Sequence, residues 1–251
     1  MWYNIKWNAF VAIHTNFMDG DDMLYKYETH CHTSEGSKCS KLDGASFAQF
    51  YKSLGYTGLF ITDHFYKGNT AVPRDLPWDE WVTAFVKGYE NAKAEGDKIG
   101  LDVFFAWEYS GDYGADFLIY GLGADWLYAN PEQIQWSTEE YMTRVREAGG
   151  TVVHAHPFRR PQKLLLPNVT DGVEIINAPA NDEDNFRAQI YAKSYGLPGI
   201  GGSDNHKGIQ KRLGGVYLPE RISPVREFTH FLKIGVVKAF VDCLDDDGSI
   251  L

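Results

Sequence analysis

Apolar residues come in short runs that alternate with stretches of helical periodicity, and turn residues separate the two. That alternation predicts βα units, and with them a parallel sheet or barrel. A first strand is expected near Leu24–Thr29, running into His30. Phe47, Phe50, Tyr51 and Leu54 then repeat at helical spacing behind Asp43, a suitable N-cap, and Gly55 stops that helix. Leu59–Thr62 reads as a strand that delivers Asp63 and His64, ahead of a Pro73–Pro77 loop. Trp78 to Ala94 reads as one helix, with Trp78, Trp81, Val82, Phe85 and Tyr89 on one side. Asp102–Trp107 is expected to be a strand ending at Glu108, and Phe117–Gly121 a short strand begun by Asp116.

The second half continues the pattern. Ser137 and Glu140 form a capping-box signature for a helix that ends at Gly149 and Gly150. Thr151–Val153 leads into His154, Ala155, His156 and Pro157, and Gly172–Ile176 ends at Asn177. Asp182–Tyr195 reads as a helix stopped by Gly196, and Pro198–Gly202 leads into Ser203, Asp204, Asn205 and His206. Ser223 and Pro224 open a last helix that runs to Gly235, and Val236–Val241 makes a final strand.

Of eight histidines, six (His30, His32, His64, His154, His156 and His206) fall at or just past a predicted strand end. In a barrel those ends converge on one face, so motifs far apart in sequence would meet. His30 and His32 share one side of a strand because side chains alternate with period two, which turns Cys31 away. Two imidazoles on one side suit a divalent transition metal. Asp63 beside His64 offers a ligand or its supporting partner. Glu108, ending an apolar strand, has two oxygens with which to bridge two metals. Of the second H-x-H pair, His156 stands at the loop edge and is the preferred ligand, whereas His154 reads as a core histidine. Asp204 and His206 repeat the two-residue spacing after glycines that let the backbone pass close by. His14 and His230 lack this context.

Composition narrows the partners. The formal net charge of -10 disfavours a surface built to grip a nucleic-acid backbone, so no stable nucleic-acid partner is expected. An anionic substrate stays open, because bound divalent cations reverse the local charge of a site. Cys31, Cys39 and Cys243 are odd in number and form no C-x-x-C pair, which points to reduced thiols and a cytoplasmic protein. No apolar run reaches the length of a membrane span, and the N-terminal stretch lacks the features of a signal peptide.

In this order the motifs resemble the polymerase-and-histidinol-phosphatase (PHP) family of metal-dependent phosphoesterases. The matching segments are ETHCHTSEGS (28–37), FITDHF (60–65), FAWEYS (105–110), VVHAHPFR (152–159) and GIGGSDNHK (199–207). The resemblance implies a single domain over residues 1–251, its motifs within about 24–210, folded as a distorted (β/α)7 TIM-like barrel. It also implies two or three divalent metal ions, zinc, manganese or iron. By motif, His30, His32, Glu108 and Asp204 would hold one metal. Glu108 would bridge to a second, which His156 completes. His64 and His206 would hold a third, with Asp63 beside it as ligand or support. Two positions depart from the commoner pattern. Many relatives carry His or Asp five or six residues after the second His of H-x-H, where this chain has Ser37 and Lys38; Glu35 is the nearest oxygen donor and is expected to take that role. Where many relatives have a His after the bridging Glu, this chain has Asp116, which can serve the same metal through oxygen.

The implied reaction is hydrolysis of a phosphate ester by metal-activated water. Arg159 and Arg160 follow the His156 loop, and Arg159, nearer the motif, is the candidate for bidentate contact with phosphate; Lys207 is a weaker one. Asp63 or His206 would protonate the leaving oxygen. A small phosphorylated substrate is expected, met by the loops Lys67–Pro77 and Arg159–Thr170. The rival readings are an amidohydrolase-type enzyme acting on C–N bonds and a metal-binding barrel without activity.

Overall fold

The structure, a computed structural model, describes residues 24–159, 165–245 and 250. The N-terminal stretch read for a leader, His14, Arg160 and part of the Arg159–Thr170 loop lie outside the described residues.

Strand β1 (Tyr25–Cys31) is buried along both faces from Tyr27 onward. Its polar residues Glu28, Thr29 and His30 are therefore wholly inside and must find partners there. β1 pairs in parallel with β2 (Gly58–Ile61), which pairs in parallel with β3 (Asp102–Phe105). On its other edge β1 meets β9 (Arg212–Leu218), antiparallel, and β9 meets β10 (Lys238–Cys243), also antiparallel. A second sheet has the order β4 (Trp107–Ser110), β5 (Asp116–Tyr120), β6 (Thr151–Ala155), β7 (Gly172–Asn177), β8 (Gly199–Gly202). In it β4, β5 and β6 run antiparallel in turn, and β6, β7 and β8 run parallel.

The architecture is mixed α/β with two five-stranded sheets; a closed form of the expected distorted (β/α)7 barrel is not seen among the described residues. The strand expected over Asp102–Trp107 divides at Ala106, and its two pieces join different sheets. β4 and β5 are separated only by a turn in which Gly111 N–H donates to Ala115 O at 2.7 Å, and so short a link makes an antiparallel hairpin rather than a crossover. β9 escapes the sequence pattern because Gly214 and Gly215 interrupt its apolar run. Those glycines are needed there. A Cβ at Gly214 would lie 2.3 Å from Gly202 O, so β8 and β9 approach closer than any side chain permits.

The sheets meet at one end of their strands. Isolated parallel bridges link Cys31 with Asn205 and His64 with Glu108. His32 N–H donates to Asn205 O (3.0 Å), Phe65 N–H to Glu108 O (2.8 Å) and Glu108 N–H to Asp63 O (3.0 Å). Between the sheets, Tyr27, Phe60 and Phe104 pack with Leu118, Tyr120, Val153 and Ile200.

Helices cover the outside. α1 (Gly44–Ser53) is capped by Asp43, whose carboxylate accepts Ser46 N–H at 2.7 Å. The single helix expected over Trp78–Ala94 is two, α2 (Trp78–Phe85) and α3 (Lys87–Ile99), which break at Val86. Each buries a different face: α2 turns in Trp81, Val82 and Phe85, whereas α3 turns in Gly88, Ala92 and Gly96. α4 (Ala124–Ala129) and α5 (Thr138–Glu147) follow; Ser137 caps α5 by accepting Glu140 N–H, while Glu140 turns to Arg144 and leaves the capping box half made. α6 (Asp182–Tyr195) is capped by Asn181 and ends at left-handed Gly196. α7 (Val225–Lys233) begins after Pro224 without a side-chain cap. Ser223, the expected cap, instead donates its N–H to Glu227 (2.8 Å). Among the described residues no helix is long and apolar enough to cross a membrane. Cys31, Cys39 and Cys243 are all free.

Candidate metal centre

The seam between the sheets is where the side chains gather. β1 and the turn after β2 supply His30, His32 and His64; β4 and the ends of β6 and β8 supply Glu108, His156, Asp204 and His206. Three overlapping groups lie close enough to hold metal ions: His30, His32 and Asp204; His30, Glu108 and His156; His32, His64 and His206.

Glu108, fully buried, stands in the middle. Its Oε1 faces His156 Nε2 (3.1 Å) and His30 Nε2 (3.6 Å), while Oε2 faces His64 Nδ1 (2.6 Å) and His32 Nε2 (3.6 Å). Asp204 repeats the arrangement on the other side: Oδ1 faces His32 Nε2 (3.3 Å) and His30 Nε2 (3.5 Å), and Oδ2 lies 3.8 Å from His156 Nε2. Ligands about 2.0–2.1 Å from a tetrahedral metal are about 3.4 Å apart, which most of these separations approach. Burial opposes a charge on Glu108 and on Asp204, yet the surrounding imidazoles hold both well below the ordinary carboxylate range.

Several inward-facing atoms have no protein hydrogen bond: His30 Nε2, His32 Nε2, His64 Nδ1 and Glu108 Oε2. Buried polar atoms without partners are costly, and such atoms within these overlapping groups fit bound cations. The opposite ring nitrogens are engaged. His30 Nδ1 meets Glu174 Oε1 (2.9 Å), His206 Nδ1 donates to Asp204 O (2.9 Å), and His32 Nδ1 lies 3.3 Å from Ser37 Oγ. Each contact leaves Nε2 to face the centre, as metal-binding histidines require.

Backbone strain helps to aim two of these groups. His156 (φ 27°) and Asp204 (φ 45°) are the described non-glycine residues with positive φ. The alternation that joins His30 to His32 fails at the second pair, because β6 ends at Ala155 and His156 turns inward. His154 stays in the strand, stacked on Phe117 with ring centroids 4.8 Å apart and edge-on to Tyr191. Both its ring nitrogens lack partners, and burial brings its pKa down to about 3.

Not every expected residue joins the cluster. Glu35 turns to the start of α1, where its carboxylate accepts from Gly44 N–H (3.2 Å) and Asn91 Nδ2 (2.8 Å). Asp63 is buried with both oxygens taken: Oδ1 accepts Thr33 N–H (2.6 Å) and Ser37 Oγ–H (2.7 Å), and Oδ2 accepts Thr33 Oγ1–H (2.6 Å). It braces the loop that carries His32 rather than facing the centre. Burial raises the pKa of this carboxyl to about 6 against those donors. Asp116 stands at the rim, opposite Ala155 in the β5–β6 ladder and 3.8 Å from Arg159. Arg159 reaches Asp204 Oδ2 at 2.6 Å, so its guanidinium lies at the edge of the cluster.

Three supporting residues were not among the expected site residues. Glu174, fully buried in β7, orients His30 through Oε1 and accepts His156 N–H (2.9 Å) and Asn177 Nδ2 (3.1 Å) through Oε2. Glu28 accepts His30 N–H (2.7 Å) and Ser203 N–H (2.9 Å), tying β1 to the end of β8; burial raises its pKa to about 7. A carboxylate inside an otherwise apolar strand was the available signal for Glu174. Cys39 is the third: against the effect of burial, the neighbouring His206 and His64 bring its thiol pKa down to about 6.

Comparisons with known proteins agree with this picture. No curated protein sequence matches the chain. The fold is similar to that of a two-domain protein from Bacteroides vulgatus containing a predicted PHP-like metal-dependent phosphoesterase: TM-score 0.68, 16% identity, covering 90% of this chain and 67% of that one. It is also similar to the lesion-specific endonuclease Q of Pyrococcus furiosus (TM-score 0.60, 14% identity, 89% and 60% covered). A third likeness is to an amidohydrolase from Chromobacterium violaceum with bound sulfate (TM-score 0.54, 15% identity, 81% and 96% covered). In sequence, residues 182–208, from α6 through His206, match the PHP-associated family model. That segment contributes the last two side chains of the cluster, Asp204 and His206, to a fold similar to that of a PHP-like protein.

Proposed function

We propose that this protein is a metal-dependent phosphoesterase that hydrolyses a small phosphate ester at a multinuclear centre. The observation that carries the reading is Glu108, whose two carboxylate oxygens each face a different pair of imidazoles. One carboxylate flanked in this way suits two adjacent cations. His30, His32, Glu108 and Asp204 would hold one, Glu108 and His156 the next, and His64 with His206 a third. Bound there, divalent cations would polarise a phosphoryl group and make water a stronger nucleophile.

The chain's own residues do the rest. Glu174 and Ser37 keep His30 and His32 turned inward. Arg159, already paired with Asp204, offers a planar pair of donors to phosphate oxygens at the rim. Asp116 beside it limits how far the guanidinium swings. Asp63 acts at one remove, by fixing Thr33 and Ser37. The acidic chain favours a small substrate over nucleic acid, and its free thiols suit a cytoplasmic setting.

The test is elemental analysis of protein purified without chelator, alongside His32→Ala and Asp204→Ala, followed by assays on phosphate monoesters, diesters, abasic DNA and amides. Two or three metal equivalents, fewer in both variants, with turnover of small phosphate esters, is the expected result. Turnover of amides alone would favour a C–N hydrolase, and turnover confined to abasic DNA would remove the small substrate. Metal without any turnover would leave a binding protein. Less than one equivalent, unchanged in the variants, would remove the centre altogether.

A further inference from the structure

Helix α6 turns two large apolar side chains away from the core. Its inward side holds Asn185, Ala188, Tyr191 and Ala192, the last three packed with Val173 of β7. On the opposite side Phe186 is 61% exposed and Ile190 50%. α1 and α7 do the reverse, burying Phe47 and Tyr51 in one case and Phe228 and Leu232 in the other. A single exposed apolar residue is ordinary, but two placed four apart form one stripe on one helix face.

Charge frames the stripe at both ends. Glu183 stands three residues before Phe186, and Lys193 three residues after Ile190, so all four share the outward face. Glu183 meets Arg187 in a contact open to water, which is worth little and is easily shared. Lys193 is exposed, and among the described residues it pairs with no carboxylate. The spacing reads the same from either end: acid, then Phe186, then Ile190, then base, with gaps of three, four and three residues. A half-turn about an axis through the middle of the stripe therefore lays acid on base and Phe186 on Ile190. A parallel copy in register would set acid on acid and base on base, so the pattern selects the antiparallel pair that a twofold axis generates.

We propose that α6 is a homodimer surface, packed antiparallel against the α6 of a second copy of this chain. Phe186 covers the partner subunit's Ile190, and Glu183 faces the partner subunit's Lys193. The twofold axis makes each of these contacts twice. A helix of 14 residues is about 21 Å long, so one helix pair makes an interface at the small end of the specific range, below about 1,200 Å² in total. The dimer is accordingly weak and depends on concentration. None of the four residues belongs to the metal centre.

Sedimentation velocity over a concentration series tests this without an activity assay. Wild type is expected to pass from monomer to dimer as concentration rises. Phe186→Gln and Ile190→Gln should each raise the dissociation constant by more than about tenfold, since central apolar anchors carry most of the energy of an interface. Glu183→Lys and Lys193→Glu should each weaken the dimer, and the two together should restore it, because the exchanged charges again oppose. Circular dichroism of every variant checks that it folds. A wild type that stays monomeric throughout would overturn the second copy as the occupant of this face and leave it to another segment or another protein. A dimer indifferent to Phe186→Gln and Ile190→Gln would place the interface elsewhere, and a double charge exchange no better than either single one would overturn the antiparallel register.

Discussion

Glu174 Oε1 lies 2.9 Å from His30 Nδ1, in a strand of the opposite sheet from His30 itself. That contact fixes the ring so that Nε2 faces Glu108 and Asp204. Glu174→Gln keeps the size but places an amide N–H against either the imidazole or the His156 N–H that Oε2 now accepts. We expect metal affinity to fall by about 10–100-fold with the fold retained, read by competition against a chromophoric chelator. An unchanged affinity would show that His30 does not need this partner.

Gly202 is the position where His30 and Glu174 crowd the backbone. A Cβ there would lie 2.6 Å from Glu174 Oε1 and 2.6 Å from His30 Cβ. Gly202→Ala should destabilise the protein by about 1–3 kcal/mol in chemical denaturation. It should also weaken metal binding, because both displaced groups belong to the centre.

His154 is held neutral in an apolar slot. Its folded-state pKa of about 3 lies below the ordinary 6.5, so the unfolded chain binds the proton first as pH falls. The stability it permits is present above pH 6.5 and is lost downward from there, by roughly 3 kcal/mol at pH 4. His154→Leu removes two buried nitrogens without partners. We expect it to be more stable than wild type by about 1 kcal/mol at pH 7 and less acid-sensitive between pH 6.5 and 4, measured by urea unfolding across that range. Parallel pH profiles for the two proteins would refute the assignment.

Arg159 tests the substrate side. Arg159→Ala should lower kcat/KM for a phosphate monoester by about 10- to 100-fold, the worth of a charge-assisted hydrogen bond, and weaken inhibition by inorganic phosphate in parallel. Equal inhibition in both proteins would leave Arg159 a partner of Asp204 and nothing more.

Much of this site was legible because period-two alternation and strand ends fix where a side chain points. His30, Cys31 and His32 follow that rule: the histidines meet at the centre and Cys31 packs against Phe47 and Tyr51. The rule fails where a strand stops. His154 and His156 share its spacing, yet only His156 turns in, because its backbone has a positive φ that no local pattern announces. Proximity in sequence misled at Glu35, which lies three residues from His32 but serves the start of α1, whereas Cys39 lies seven away and is folded back by the Ser37–Ser40 turn. The division into two sheets was hidden for a similar reason. One uninterrupted apolar run, Asp102–Trp107, holds two strands, and the break at Ala106 is a tertiary event.

The bridges at Cys31–Asn205 and His64–Glu108 stitch the two sheets at the end where the cluster sits. His30, His32 and His64 stand on one side of that stitching, and Glu108, His156, Asp204 and His206 on the other. An ion held by both sets would act as a rivet, and its loss would leave carboxylates and imidazoles straining a joint closed by few backbone bonds. Neither half of the chain could keep the centre alone, so assembling the two halves and loading the cations would be a single cooperative act.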